Sequence, residues 1–213
     1  MNHFKRIDID FNVEKLQEAY KQVTDIIKFP EDIRLFKPLQ IPLQINKEIV
    51  IHQLSLTKKP SSKTPDCYFV KRSEDGGYRF ADLVTGKIND LKVDTSHGEE
   101  LGEQEWYEEF IPEFNHTYFK EVYDKLSTIV KLGRVRLIKT YPLSVLEWHN
   151  DLENKLHVPI YSNKGARMVI ENETMHIPVG QTWWANTYEN GHSAFNGGLQ
   201  ERIHLVASVI MDT

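Results

Sequence analysis

From Gly133 onward the chain is a run of short β-rich segments with no helical pattern between them, and no other feature restricts its fold as much. RVRLIKT (134–140), LHVPI (156–160), ARMVIEN (166–172), TMHIPV (174–179), QTWWAN (181–186) and RIHLVASVIM (202–211) follow one another. Turn signals separate them: Asn163-Lys164-Gly165, Glu171 to Glu173, Gly180, Asn190-Gly191 and Gly197-Gly198. Many short strands at this spacing predict a sandwich or barrel, and a jelly roll is the natural candidate. Its open end would hold a site reached by strand ends and loops.

The upstream part is less regular. Asn12 is placed to cap a helix over about 13–28, in which Leu16, Tyr20, Val23 and Ile27 recur at helical spacing and which Pro30 stops. Residues 34–56 alternate loosely, with prolines suited to edges. Residues 57–66 read as a polar loop, and CYFVKRSEDGGYRFADL as a hairpin turning at Asp75-Gly76-Gly77. Residues 94–109 are acidic and weakly apolar, which suits a surface segment or a lid. A second helix is expected over about 112–131, carrying Phe119, Val122, Tyr123, Leu126 and Ile129.

At 213 residues the chain suits one domain, with the β core at about 134–212 and the irregular part at 1–133. A net charge of −5 gives no basic field for nucleic acid or anionic lipid. Cys67 is the only cysteine, which excludes an intramolecular disulfide and fits a reducing compartment. The first residues carry charges where a signal peptide needs an apolar stretch, and no apolar run approaches a membrane span. A cytoplasmic enzyme or binding protein is the expectation.

The stretch EWHNDLENKLHVPI (147–160) sets polar, metal-capable groups against an apolar run. In extended chain, residues two apart point to one side, so His149 and Asp151 can aim an imidazole and a carboxylate at one point. A second histidine would complete the two-His, one-carboxylate face of the non-haem Fe(II) oxygenases, whose opposite side stays open. His176, His192 and His204 are the candidates for that place. His192, in a loop between two strands and beside glycines, is the best placed. His3, His52, His97 and His116 read as ordinary surface or core histidines. Ten residues beyond His192, Arg202 opens the last strand with a guanidinium able to grip a carboxylate through two bonds. Trp148, Trp183 and Trp184 read as core or rim packing.

In this order, H-x-D, a histidine some forty residues on, an arginine ten further and R-I-H-L-V, the chain resembles the aspartyl/asparaginyl β-hydroxylase family of Fe(II)- and 2-oxoglutarate-dependent oxygenases. The matching text is WHND…KLHVPI and MHIPVGQTWWANTYENGHSAFNGGLQERIHLVASVIMD, roughly residues 134–212. The resemblance implies a double-stranded β-helix, mainly β with flanking helices. It implies that His149, Asp151 and His192 bind Fe(II) and that Arg202 pairs with the distal carboxylate of 2-oxoglutarate. Lys155 and His157 fall where the family has a basic residue and a histidine near the cosubstrate's other carboxylate. Lysine stands here where arginine is commoner, so the charge is kept and the two-pronged grip is not. The hydroxyl that some members carry on the strand before H-x-D would fall near Ile138, which has none.

The implied reaction hydroxylates an amino-acid side chain, in a polypeptide or a free amino acid such as proline, with 2-oxoglutarate and O2 as cosubstrates. Succinate and CO2 would be the co-products. Asp151 fills the place that a halogenase of this class leaves open, which favours hydroxylation. The competing expectation is a non-catalytic, cupin-like binding barrel that uses the same metal ligands. Such a barrel has no need of Arg202, Lys155 and His157.

Overall fold

A computed structural model describes residues 2–26, 49–58, 67–72, 78–82, 88–93, 107, 109–146 and 148–210, with backbone alone at 25–26, 49–53, 67–72, 78–82 and 88–93. The turn at 75–77, His97, Pro30 and most of the acidic segment lie outside these residues. The elements run β1 (Phe4–Asp10), α1 (Val13–Ile26), β2 (Ile49–Ser55), β3 (Thr57–Lys58), β4 (Cys67–Arg72), β5 (Tyr78–Asp82), β6 (Ile88–Val93), β7 (Glu109–Phe110) and α2 (Tyr118–Ser127). They continue β8 (Leu132–Thr140), β9 (Ser144–Val145), β10 (Asn154–Tyr161), β11 (Ala166–Ile170), β12 (Glu173–Met175), β13 (Gln181–Ala185), β14 (His192–Asn196) and β15 (Arg202–Val209).

The chain folds as a double-stranded β-helix, mainly β and flanked by helices. A nine-stranded sheet in the order β1-β13-β10-β15-β8-β2-β4-β5-β6 is joined by a four-stranded sheet in the order β12-β11-β14-β9, all pairings antiparallel. β3 and β7 form a separate pair.

The central strands are covered on both faces, which is why β10 and β15 are buried almost along their whole length. One face is apolar. Leu156, Val158 and Ile160 of β10, Ile203, Leu205, Ala207 and Val209 of β15, and Val135 and Leu137 of β8 share one core with α1 and α2. The helices contribute Leu16, Ala19 and Val23, and Phe119, Val122 and Leu126. The other face looks to the four-stranded sheet, where Ala185 packs with Met168 and Ile170. Alternation sends Lys155 and His157, Arg202, His204, Val206 and Ser208, and Arg134, Arg136, Ile138 and Thr140 to this second face. The space between the sheets is therefore largely polar.

The helix start follows the sequence: the Asn12 Oδ1 accepts the Lys15 backbone N–H at 2.9 Å. The second helix is shorter than its periodicity predicts. Pro112–Phe114 form a separate 3-10 turn, and the Thr117 hydroxyl closes it by donating to the Phe114 carbonyl at 2.7 Å. The helix begins only after Thr117 and stops at Ser127, leaving Ile129 exposed. Thr57 and Lys58 are not loop: Thr57 is buried, and its hydroxyl accepts the Val135 N–H at 2.9 Å. At the end of the expected surface segment, Tyr107 is buried and Glu109 and Phe110 pair with β3. The strand 192–196 was not expected. Gly180, with φ +76°, turns the chain into β13 where an added Cβ would lie 2.8 Å from the Phe11 carbonyl. No helix among the described residues is long and apolar enough to cross a membrane.

Candidate metal centre

His149 and Asp151 sit between β9 and β10, and His192 opens β14. An antiparallel bridge joins the two histidines: the His149 N–H donates to the His192 carbonyl at 3.0 Å, and the His192 N–H to the His149 carbonyl at 2.8 Å. His192 is thus fixed by strand pairing, with 4% of its surface exposed, and not by the loop that its glycines suggest. Gly191 makes the crossing tight. The Trp148 indole, Nε1 foremost, lies where its side chain would be. Asp151 is held by a bridge to Tyr188 and by its carbonyl, which accepts the Glu189 N–H at 2.9 Å.

One donor atom from each of His149, Asp151 and His192 falls within 4.8 Å of the other two. The His192 Nε2 is 3.4 Å from Asp151 Oδ2 and the His149 Nε2 is 3.9 Å from Oδ1. Ligands ~2.1 Å from one ion at right angles stand about 3 Å apart, so slight contraction would close the three around a metal. The protonation pattern fits as well. Nδ1 of His192 lies 2.9 Å from the Asn190 carbonyl, which can only accept, so Nδ1 carries a proton and Nε2 is the ring nitrogen left facing Asp151. Burial raises the pKa of Asp151. The positive Lys155 ammonium and the hydrogen bond and charge of His192, with His149 beyond, outweigh it and hold the carboxyl well below its usual range. The triad can hold a metal ion, and its open side is the His149 side, where that side chain is 42% exposed.

Lys155, Arg202 and His157 lie on the face between the sheets. The Lys155 Nζ contacts Asp151 Oδ2 at 3.4 Å, Glu153 Oε2 at 2.8 Å and Ser208 Oγ at 3.1 Å. Its charge is spent chiefly on the carboxylates of the metal loop. The buried Arg202 donates to Thr140 Oγ1 at 3.3 Å and to His204 Nδ1 at 3.1 Å. Burial lowers its pKa to about 10. Among the described residues no carboxylate forms an ion pair with it. The His157 ring stands edge-on to that of His204, with centroids 5.8 Å apart, and burial together with Arg202 pushes both imidazoles well below their ordinary pKa. His157 is also within electrostatic reach of Arg202, His192 and Asp151.

Thr140 had no site role in the sequence reading, and His204 entered it only as a possible metal ligand. His204 looks like a mid-strand core histidine, and only the pairing of β15 with β8, which sets Arg202 opposite Thr140, reveals the cluster. His176 takes no part in the triad; its Nδ1 lies 3.0 Å from the Ala166 carbonyl. Trp183 shares the His157 row, while Trp184 packs against the helix-side core. Trp148 is 56% exposed at the rim.

Fold and site together define a double-stranded β-helix protein with a metal-capable His/Asp/His face. Neither a protein-family model nor a curated protein sequence matches the chain. Solved structures similar in part include a predicted oxalate decarboxylase of Thermotoga maritima, 16% identical over 43% of this chain and 74% of that one, with a TM-score of 0.33. A cupin domain of Bordetella pertussis is 15% identical over 37% and 81%, with a TM-score of 0.32. A cupin-2 domain protein of Shewanella frigidimarina is 11% identical over 42% and 92%, with a TM-score of 0.30.

Proposed function

We propose that the protein is an Fe(II)- and 2-oxoglutarate-dependent dioxygenase that hydroxylates an amino-acid side chain, in a polypeptide or a free amino acid. The observation that carries this reading is Arg202: a guanidinium only 3% exposed, on the face that looks toward the triad, whose partners are both neutral. A buried charge is costly unless an opposite charge meets it. A dicarboxylate reaching from the metal to Arg202 supplies that charge, and a barrel that bound metal alone would have no use for the arginine.

His149, Asp151 and His192 would hold the ion and leave its other side to ligands. When bound, Fe(II) supplies the oxidation by which 2-oxoglutarate, O2 and a C–H group become succinate, CO2 and a C–OH group. Lys155 keeps Asp151 ionised and fixed. The Asn190 carbonyl keeps the lone pair of His192 directed at the ion. Arg202 orients the cosubstrate through its distal carboxylate, and neutral His157 stands within electrostatic reach of Arg202, His192 and Asp151. The two sheets exclude water from the space between them. The substrate would approach on the His149 side, past the exposed rim of Trp148, Leu152 and Tyr188.

The test is incubation with Fe(II) and 2-oxoglutarate under air, following succinate. Amino acids and Asp- or Asn-containing peptides are then added in turn to find the one that stimulates it. Succinate formation that requires both the metal and Arg202 is the expected result. Absence of both turnover and 2-oxoglutarate binding in the metal-loaded protein would overturn the reading.

A further inference from the structure

A lysine ammonium has three N–H donors and no acceptor. All three on Lys155 are accounted for: Glu153 Oε2 lies at 2.8 Å, Ser208 Oγ at 3.1 Å and Asp151 Oδ2 at 3.4 Å. The Lys155 side chain is 5% exposed, so solvent offers it little else. Asp151 Oδ2 is claimed twice, because the His192 Nε2 also faces it at 3.4 Å. An ion held between His192 and Asp151 would draw on a carboxylate that a buried ammonium already touches. The two cations would then stand close together, and away from bulk water such a pair repels strongly. Ser208 is neutral. Of the three partners, Glu153 is therefore the one that can hold the charge of Lys155 while Asp151 serves the metal.

The fold keeps Glu153 in that place. The buried Thr187 hydroxyl donates to the Glu153 carbonyl at 2.7 Å, and the next side chain, Asn154, accepts the Tyr188 N–H at 3.2 Å through Oδ1. The segment that leads into His192 thus also fixes the residue that faces Lys155. Arg136 lies within electrostatic reach of both Asp151 and Glu153. Two cations meet two carboxylates here, and without Glu153 the balance would be positive before any metal arrived.

From this geometry we infer that Glu153 is a positioning residue of the metal centre: it takes the charge of Lys155 and so frees the Asp151 carboxylate for a divalent cation. Lys155 steadies Asp151 before the ion arrives, and leans on Glu153 and Ser208 once it is bound. Without Glu153, metal binding would leave a buried ammonium with one neutral partner beside a second cation, which is costly. The inference rests on the triad of the proposed function and not on its oxygenase chemistry.

Calorimetric titration of the metal-free protein with Mn(II), run as a double-mutant cycle, is the test. Glu153→Gln keeps the shape and an acceptor for Lys155 but removes the charge. It should bind Mn(II) about tenfold more weakly, the lower end of what outer partners of metal ligands contribute. Lys155→Met removes the competing ammonium, and in that background Glu153→Gln should change the affinity by less than about threefold. If Glu153→Gln does not fold, Glu153→Asp, one methylene shorter, carries the same cycle with a smaller loss. Equal Mn(II) affinity in the parent and Glu153→Gln would overturn the inference and leave the triad standing. A loss of the same size with and without Lys155→Met would also overturn it, because Glu153 would then act on the ion directly or through the fold. Failure of the parent to bind Mn(II) would overturn the triad and this inference together.

Discussion

Replacing Asp151 by alanine separates a metal-binding role from a packing role, because the two effects have different sizes. In metal-free protein the change removes the partner 3.4 Å from Lys155, whose side chain is 5% exposed. Glu153 at 2.8 Å and Ser208 at 3.1 Å remain. Removing one partner of a buried polar group costs roughly 1–3 kcal/mol, and the surviving contacts put this case near ~1 kcal/mol. For a domain of this size that is a fall of about 2–4 °C in Tm. Metal changes the comparison. The parent, at a metal concentration of 100 times its Kd, gains about 2.7 kcal/mol, or roughly 5–11 °C. Losing an outer partner of a ligand already weakens metal sites by 10–100-fold, so losing the carboxylate itself should cost at least about 100-fold. At the same metal concentration the variant then gains only ~0.4 kcal/mol, about 1–2 °C. Thermal unfolding in EDTA, and anaerobically with Fe(II) or with Mn(II), measures both shifts. A metal-induced shift in Asp151→Ala as large as the parent's would refute the triad.

Three further outcomes are expected. His149→Ala should change chemical-denaturation stability by no more than about 1 kcal/mol, whereas His192→Ala, in a buried strand and bonded to Asn190, should lose roughly 2–3 kcal/mol; equal losses would contradict their different burial. Gly191→Ala must displace the Trp148 indole and with it the adjoining His149, so a loss of about 1–3 kcal/mol, altered tryptophan emission and weaker metal binding should come together. Burial, with Glu201, Tyr141 and Tyr161 nearby, raises the Tyr20 pKa above its ordinary 10.0, so the neutral phenol stabilises the fold below that pH. That contribution is lost as pH climbs beyond ~10 toward the folded value. Tyr20→Phe should flatten the alkaline limb of a stability–pH curve, and an unchanged limb would show that Tyr20 contributes nothing to it.

The jelly-roll strands from Leu132 on were legible because their apolar runs are bounded by turn residues. His149 and Asp151 were legible as a pair because extended chain puts alternate residues on one side. β1 was not: FKRIDID sets Ile7 and Ile9 partly against the helix-side core and Phe4 against Met168, Ile170 and Ala185, and its charges mask the alternation. β14 was missed because HSAFN has no apolar run and gains its strand character from pairing with β11 and β9. The meeting of His204 and Thr140 at Arg202 was hidden for a deeper reason. They are 64 residues apart, and only β15 lying beside β8 brings them to one guanidinium. Long-range pairing leaves no local trace in a single sequence.

The alternation along β10 and β15 makes this part of the gene intolerant of length change. One inserted or deleted codon between 155 and 159 would exchange the two faces of β10. Lys155 and His157 would be driven into the layer filled by α1 and α2, while Leu156 and Val158 would turn toward the triad. Folding and chemistry would be lost in a single event, whereas point substitutions here can damage one and spare the other. Viable length variation should therefore accumulate at the turn around Asn163–Gly165 and near Leu199, which is 83% exposed, and not in the two strands that join the helix-side core to the site.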